Sequence, residues 1–195
     1  MDSDVAYIKG LLGVHPDWPK KGITFLDVFP ILQDPLAFEC LITHLIHHIT
    51  SYTIPKLAEK KIDVVVGLDA RGFLFGPIIA LRLGAAFVPV RKKGKLPGTC
   101  TTAEYIKEYG TDTFEMQSGS IKPQSTVIVI DDLIATALQV GEHYITIGGS
   151  AKAAGELVRA QEGKTVEYIF IIGLPFLKGG EKLDAPIYTM IEADD

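Results

Sequence analysis

Apolar residues recur along this chain in two rhythms. Val5, Ile8, Leu11 and Leu12 fall on one face of a short helix over about residues 4–13. Phe38, Leu41, Ile42, Leu45, Ile46 and Ile49 repeat at helical spacing behind Asp34-Pro35. An acidic cap followed by proline in the first turn predicts an amphipathic helix of about four turns there. Elsewhere the apolar runs are short and rich in β-branched residues. Ile62–Leu68, Ala86–Val90, Val127–Ile130 and Val166–Gly173 read as buried strands, and Pro186–Ile191 as an edge strand. A helix from about Phe73 to Leu83 separates the first two, and an alanine-rich helix opening at Gly148-Gly149-Ser150 separates the next two. This alternation predicts an α/β fold, a mostly parallel sheet flanked by helices. His15 to Gly22 holds two prolines and a glycine, which forbid a long regular element. The short extended segment Ile23–Val28 either packs or covers a flat ligand. Leu96–Gln117 is rich in glycine and threonine and then alternates, the pattern of a hairpin lid rather than core. Such a lid brings Glu104, Glu108 and Glu115 with it. There is no internal repeat and no low-complexity linker, so residues 1–195 read as a single domain.

Composition narrows the class. Apolar content of 47% and charged content of 22% are those of a soluble globular chain. Nineteen basic against 24 acidic residues leave a net charge of −5, which argues against a nucleic-acid partner. The two cysteines, Cys40 and Cys100, form no disulfide or metal framework, which fits a reducing compartment. The start, Met1-Asp2-Ser3-Asp4, lacks the basic and apolar regions of a signal peptide, and no apolar run reaches membrane-spanning length. A soluble, cytoplasmic protein without membrane contact is expected.

The chemistry gathers where strands stop. Val127-Ile128-Val129-Ile130 runs straight into Asp131-Asp132. The carboxyl end of a parallel strand is where open α/β sheets bind ligands. Two adjacent carboxylates repel, so they call for a partner rich in donors, such as a diol, a cation or a base. Strand 62–68 runs into Asp69-Ala70-Arg71-Gly72 and a helix, a geometry that aims N–H groups and a guanidinium at an anion. A surface ion pair is the plain alternative for Arg71. Strand 86–90 delivers Arg91-Lys92-Lys93-Gly94-Lys95. This is either a solvated charge run or, beside the Arg71 turn, a positive field for a polyphosphate; the pairing of the two loops favours the field. Gly148-Gly149-Ser150 forms a phosphate nest, or Ser150 is simply an N-cap. His44 and His48, four residues apart, lack an evident third ligand and so read as a solvated face rather than a metal site.

Together these segments resemble the type I phosphoribosyltransferases, and within them the branch that acts on adenine. The residues that carry the resemblance are Val127 to Thr136 with Gly148 to Ser150, Gly67 to Gly76, Val88 to Gly98, Glu108-Tyr109-Gly110, Phe114 to Gln117 and Leu177 to Leu183, in order over nearly the whole chain. The resemblance implies a Rossmann-like fold with an N-terminal hood (about 1–34) and a flap hairpin (about 95–118). It implies transfer of a phosphoribosyl group from 5-phosphoribosyl-1-diphosphate to adenine, giving AMP and pyrophosphate with Mg²⁺. Asp131 and Asp132 would hold the ribose hydroxyls. Ala135, Thr136, Gly148, Gly149 and Ser150 would cradle the 5′-phosphate. Arg71, Lys92 and Lys95, with Arg91 nearby and Asp69-Ala70 in the loop, would take the diphosphate. Thr24, Phe25 and Leu26 would meet the purine. Glu108, beside Tyr109 on the flap, would handle the proton at the base. Mg²⁺ would ride on diphosphate and ribose oxygens with no dedicated protein ligand. A homodimer is implied as well.

One segment departs from the family pattern. Residues 137–147, from Ala137 to Ile147, stand between Thr136 and the two glycines that would ordinarily follow it. Closure entropy for an insertion of this size is about 1 kcal/mol, so the fold should survive. Three readings stay open: the insertion loops out and the nest is rebuilt, it breaks the nest, or it reflects how the coding sequence was assembled. The second would make the chain a weak or inactive relative that acts as a nucleotide-binding or regulatory protein.

Overall fold

The computed structural model describes residues 2–18, 21, 24–107, 110–135, 138–140, 143–145, 149–174 and 183–193. Its elements in chain order are α1 (Asp2–Gly10), β1 (Gly13–Pro16), β2 (Thr24–Asp27), α2 (Phe29–Gln33), α3 (Pro35–His48), β3 (Val64–Leu68), α4 (Gly72–Leu83), β4 (Ala86–Lys92), β5 (Cys100–Lys107), β6 (Gly110–Gln117), β7 (Thr126–Ala135), β8 (Leu138–Val140), β9 (His143–Ile145), α5 (Gly149–Ala160), β10 (Lys164–Leu174) and β11 (Ile187–Glu192). A π turn (Ile49–Thr53) and a 3₁₀ turn (Ile54–Lys56) extend α3.

The main sheet has seven strands in the order β11-β10-β7-β3-β4-β6-β5. The first five run parallel, and β6 and β5 are antiparallel additions at one edge. Alternation sorts the central strands between two cores. Val65, Ile128 and Ile130 face a layer built with α1, α3 and α4, where Ile8, Leu41, Leu45, Phe75 and Ile79 are fully buried. Val64, Val66, Leu68, Val127 and Val129 face α5, through Ala154, Leu157 and Val158. Strands buried on both faces account for the nearly continuous apolar runs in the sequence.

The predicted Asp34 cap is present: its carboxylate accepts from the N–H groups of Leu36 (2.9 Å) and Ala37 (3.2 Å). It also closes off α2, a short helix the periodicity did not reveal. Helix α4 lies unusually close to the sheet. A Cβ on Gly72 would come within 2.6 Å of the Ile130 carbonyl oxygen, and one on Gly76 within 2.5 Å of the Phe87 ring. Hydrogen atoms at these positions let the start of α4 sit directly against β3 and β7.

Three expectations are corrected. The 95–118 segment does form a hairpin, β5 with β6, but it is not excluded from the core. Ala103, Tyr105, Phe114 and Met116 are buried in the α5-facing cluster, and Tyr105 stacks on Phe114 at 4.6 Å. Glycines and threonines near the start of the segment hid an apolar face that only α5 completes. His44 and His48 form neither a metal pair nor a solvated face. His44 is buried with its Nε2 2.9 Å from the Tyr188 hydroxyl, and His48 Nε2 lies 3.1 Å from both Glu167 oxygens. Finally, β7 does not stop at the acid pair. It continues to Ala135, held by β10 in register as far as Ala135↔Leu174.

Candidate active site

The site opens where two parallel strands part. Pairing of β3 with β7 ends at Gly67↔Ile130, so Asp131 and Asp132 are the first β7 residues beyond their neighbour. The connection from β3 to β4 crosses by α4 on one face, and that from β7 to β10 crosses by α5 on the other. The gap is thus a switch point, with the starts of both crossover helices beside it.

Into this gap β3 delivers Asp69-Ala70-Arg71 (the Asp69–Ala70 peptide is cis). Arg71 Nε lies 2.5 Å from Asp132 Oδ2, and Asp132 is 2% exposed. Burial pushes the Asp131 carboxyl up to about 8, with the neighbouring Asp132 charge adding to it. Asp132 is also raised by burial, while the Arg71 guanidinium pulls the other way. Both carboxyls are therefore shifted above the ordinary aspartate range. By residue exposure Asp131 is partly buried, less enclosed than Asp132.

The hood reaches the same place. β1 and β2 form a two-stranded sheet of their own, with His15 opposite Phe25 and Val14 opposite Leu26. Phe25 and Leu26 are half-buried and Thr24 is exposed. The Arg71 guanidinium carbon sits 5.7 Å from the Phe25 ring centroid, a cation–π distance. Trp18, 52% exposed, meets the Phe25 ring edge-on at 4.5 Å. Trp18 escaped sequence reasoning because it lies in a proline-bounded stretch without periodicity.

The cation loop closes the other side. Arg91 Nε donates to Asp69 Oδ2 at 2.8 Å, and its Nη1 donates to the Lys95 carbonyl at 3.2 Å. Asp69 thus links the Arg71 turn to the 91–95 loop. Lys92 turns to Asp112 of β6 at 3.5 Å rather than standing free. The Lys95 side chain is exposed. Of the expected flap acids, Glu104 is exposed and Glu115 is buried beneath the cation loop. Asp112 was missed as a site neighbour; as a single acid in a polar-looking strand it gave no signal of its own.

Gly149 is buried as the first residue of α5, and Ser150 follows inside the first turn, so Ser150 is not an N-cap. The β7 backbone reaches Ala135 at the same end of the sheet. Glu108, Tyr109, Thr136 and Gly148 lie outside the described residues. Within the 137–147 insertion, β8 and β9 pair with each other, Leu138 opposite Ile145, in a sheet separate from the main one.

Mg²⁺ takes oxygen donors, often one or two carboxylates together with substrate phosphates. Asp131 and Asp132 are donors of that kind. Among the described residues no group of three or more His, Cys, Asp or Glu side chains is placed to hold a metal by itself. The residues therefore fit an ion shared with a bound diphosphate. Among the described residues, too, no helix is long and apolar enough to cross a membrane.

An acid pair at the parting of two parallel strands, an arginine from the neighbouring turn and a glycine-headed helix stand on a fold of the phosphoribosyltransferase class. A family profile for the phosphoribosyl transferase domain matches residues 31–191. Adenine phosphoribosyltransferase of Yarrowia lipolytica is 52% identical over 188 residues, 96% of this chain and 95% of that one. Adenine phosphoribosyltransferase 1 of Saccharomyces cerevisiae is 48% identical, over 95% of this chain and 91% of its own. The crystal structure of the Saccharomyces cerevisiae enzyme complexed with an imino-altritol bisphosphate and adenine superposes with a TM-score of 0.87, at 46% identity over 98% of this chain and all of that one. The chain belongs to the adenine phosphoribosyltransferase family.

Proposed function

We propose that this protein transfers the 5-phosphoribosyl group of 5-phosphoribosyl-1-diphosphate to adenine, a purine-salvage reaction that yields AMP and pyrophosphate. The observation that carries the reading is the juxtaposition of Phe25, Arg71 and Asp132 at the strand gap. An aromatic face for the base, a guanidinium for the diphosphate and an acid for the ribose hydroxyls lie together, Arg71 touching both Phe25 and Asp132. Adenine N9 attacks C1′, the C1′–oxygen bond breaks, and its electron pair leaves on pyrophosphate. Arg71, Lys92, Lys95 and Arg91 meet the growing negative charge, with Asp69 and Ala70 setting the turn. Mg²⁺, when bound, adds charge neutralisation at the diphosphate. Asp131 and Asp132 accept from the ribose 2′- and 3′-hydroxyls. N–H groups of Ala135, Thr136, Gly148, Gly149 and Ser150 hold the 5′-phosphate. Glu108 of the flap, beside Tyr109, takes the N9 proton. The purine lies against Phe25, with the Thr24 and Leu26 main chain at its amino edge. We assign the protein to the cytosol and to a homodimer on family likeness.

The test is AMP formation from adenine and 5-phosphoribosyl-1-diphosphate with Mg²⁺, with hypoxanthine and guanine as competitors. Adenine should win. Preferential conversion of either competitor overturns the assignment, and tight AMP binding without turnover would make the chain a nucleotide-binding relative instead.

A further inference from the structure

The 93–96 turn carries Lys95 in an exposed loop ending a strand, and its one local main-chain bond among the described residues is the long one from the Lys95 N–H to the Lys92 carbonyl at 3.2 Å. Gly94, at a φ of +83°, lets the chain fold back toward β6. What meets it there is Glu115. This side chain is 5% exposed, and its Oε1 accepts from the N–H groups of both Lys95 and Leu96 at 2.8 Å. Burial alone would raise this carboxyl, but backbone donation from the 94–96 turn and the Lys93 charge prevail and hold it below the usual glutamate range. Two neighbouring bonds help to hold the turn. Lys93 N–H donates to the Thr113 carbonyl at 2.9 Å, and Gln117 Nε2 donates to the Pro97 carbonyl at 3.1 Å. Glu115 also lies opposite Arg91 in the β4–β6 register, and Arg91 in turn binds the Lys95 carbonyl and Asp69.

We propose that Glu115 is a positioning residue for the diphosphate subsite: its buried carboxylate grips the Lys95 and Leu96 amides and so fixes where Lys95 and Arg91 stand relative to Asp69 and Arg71. The inference rests on the phosphoribosyl-transfer reading. A carboxylate bonded to two main-chain donors suits this role because charge-assisted bonds are the stronger kind. Two donors on one oxygen also fix orientation as well as distance. The loop's cations then wait in place instead of being ordered by the substrate.

The experiment compares the full chain with Glu115→Ala and Glu115→Gln. Removing the grip should raise KM for 5-phosphoribosyl-1-diphosphate about tenfold or more, since about an ångström of misplacement is costly. KM for adenine should stay within about twofold, because the base side of the site is untouched. Glu115→Gln, which keeps an acceptor oxygen, should recover most of the loss. A fall in active fraction or Tm with both KM values unchanged would mean a merely structural glutamate and overturn the proposal. If Glu115→Ala does not fold, hydrogen exchange in the wild-type chain decides: the Lys95 and Leu96 amides should be protected although the turn is exposed, and fast exchange at both overturns the grip. If wild-type protein makes no AMP, the function reading falls separately, and calorimetry with Mg²⁺ and inorganic pyrophosphate still reads the Glu115 variants. Pyrophosphate affinity unchanged in Glu115→Gln and Glu115→Ala alike would again overturn it.

Discussion

Arg71 and Asp132 face each other across the gap between β3 and β7, guanidinium Nε to carboxylate Oδ2 at 2.5 Å. The contact joins two elements whose direct pairing has just ended at Gly67↔Ile130. It also ties the hood to the sheet, because the same guanidinium lies over the Phe25 ring. Arg71→Gln would leave a buried carboxyl without its cation and the hood ring without its charge. We expect kcat/KM for AMP formation to fall by about a hundredfold or more, the range seen when a charge-stabilising donor is removed. Arg71→Lys should restore only a small part, since a point charge cannot serve Asp132 and Phe25 together. Full activity in Arg71→Gln would dismiss the pair as a surface ion bridge.

Asp131 gives the pair a signature in pH. Its pKa is pushed to about 8 in the folded protein, against about 3.9 in an unfolded chain. Between those values the native state binds a proton that the unfolded chain has released. The stabilisation from this group is therefore full below about pH 4 and is lost as pH rises through about 8. Thermal melting without ligand should show this group lowering Tm from about pH 4 up to about pH 8 and no further above it, and the fall should be shallower in Asp131→Asn. A diol or a cation at the pair needs the ionised form, so binding of 5-phosphoribosyl-1-diphosphate with Mg²⁺ near pH 7 should release a proton. Calorimetry in buffers of different ionisation heat measures this directly, and identical heats in all buffers would refute it.

Gly72 allows no side chain. Its added Cβ would meet a main-chain carbonyl oxygen of Ile130 at 2.6 Å, which has no flexible end to move aside. Gly72→Ala should destabilise by about 1–3 kcal/mol, through displacement of α4 from β7. Since α4 follows directly on the Arg71 turn, activity should fall with it. Gly10→Ala, where nothing stands within 4 Å, is the matched control and should leave both unchanged.

The histidines of α3 should prove structural. Glu167 is buried, accepts from Thr53 at 2.5 Å and lies against His48, whose ring stacks on Tyr188 at 3.5 Å. Glu167→Ala removes the shared acceptor and should cost about 1–3 kcal/mol. Both KM values should be unchanged, because the cluster pairs near the start of β10, away from the acid pair. Added Zn²⁺ or a chelator should not shift Tm; a rise with Zn²⁺ would revive a metal reading.

Much of this arrangement was legible in the chain. Val127–Ile130 followed by two aspartates marked the strand whose end opens the gap beside β3, and Asp34-Pro35 located the start of α3, because both signals are local. What stayed hidden depends on packing between distant segments. Tyr105 and Phe114 have the pattern of lid residues until α5 supplies the apolar face that buries them. His44 has the spacing of a solvated face until Tyr188, 144 residues away, gives its ring a hydroxyl partner. Glu115 reads as a flap acid, and its role emerges only when the turn after β4 folds back over it. The extension of β7 past Asp132 is hidden for the same reason, since β10 is what holds it.

The insertion offers the last prediction. β8 pairs only with β9 among the described residues, while β7 stays in register with β10 to Ala135 and α5 begins at Gly149. A strand pair that satisfies its own ladder asks little of the main sheet, and closing a loop of this length costs only about 1 kcal/mol. The chain lacking residues 137–147 should therefore fold with a Tm within a few degrees of the full chain, as about 1 kcal/mol implies at this size. Activity tests the phosphate nest more sharply, since N–H groups must converge on one phosphate. We expect the two forms to have KM values for 5-phosphoribosyl-1-diphosphate within about threefold of each other, far short of the hundredfold that an ångström of misplacement can cost. A full chain that is inactive beside an active shortened one would mean instead that the insertion splits the nest. The same strands would then form a sheet but hold no 5′-phosphate.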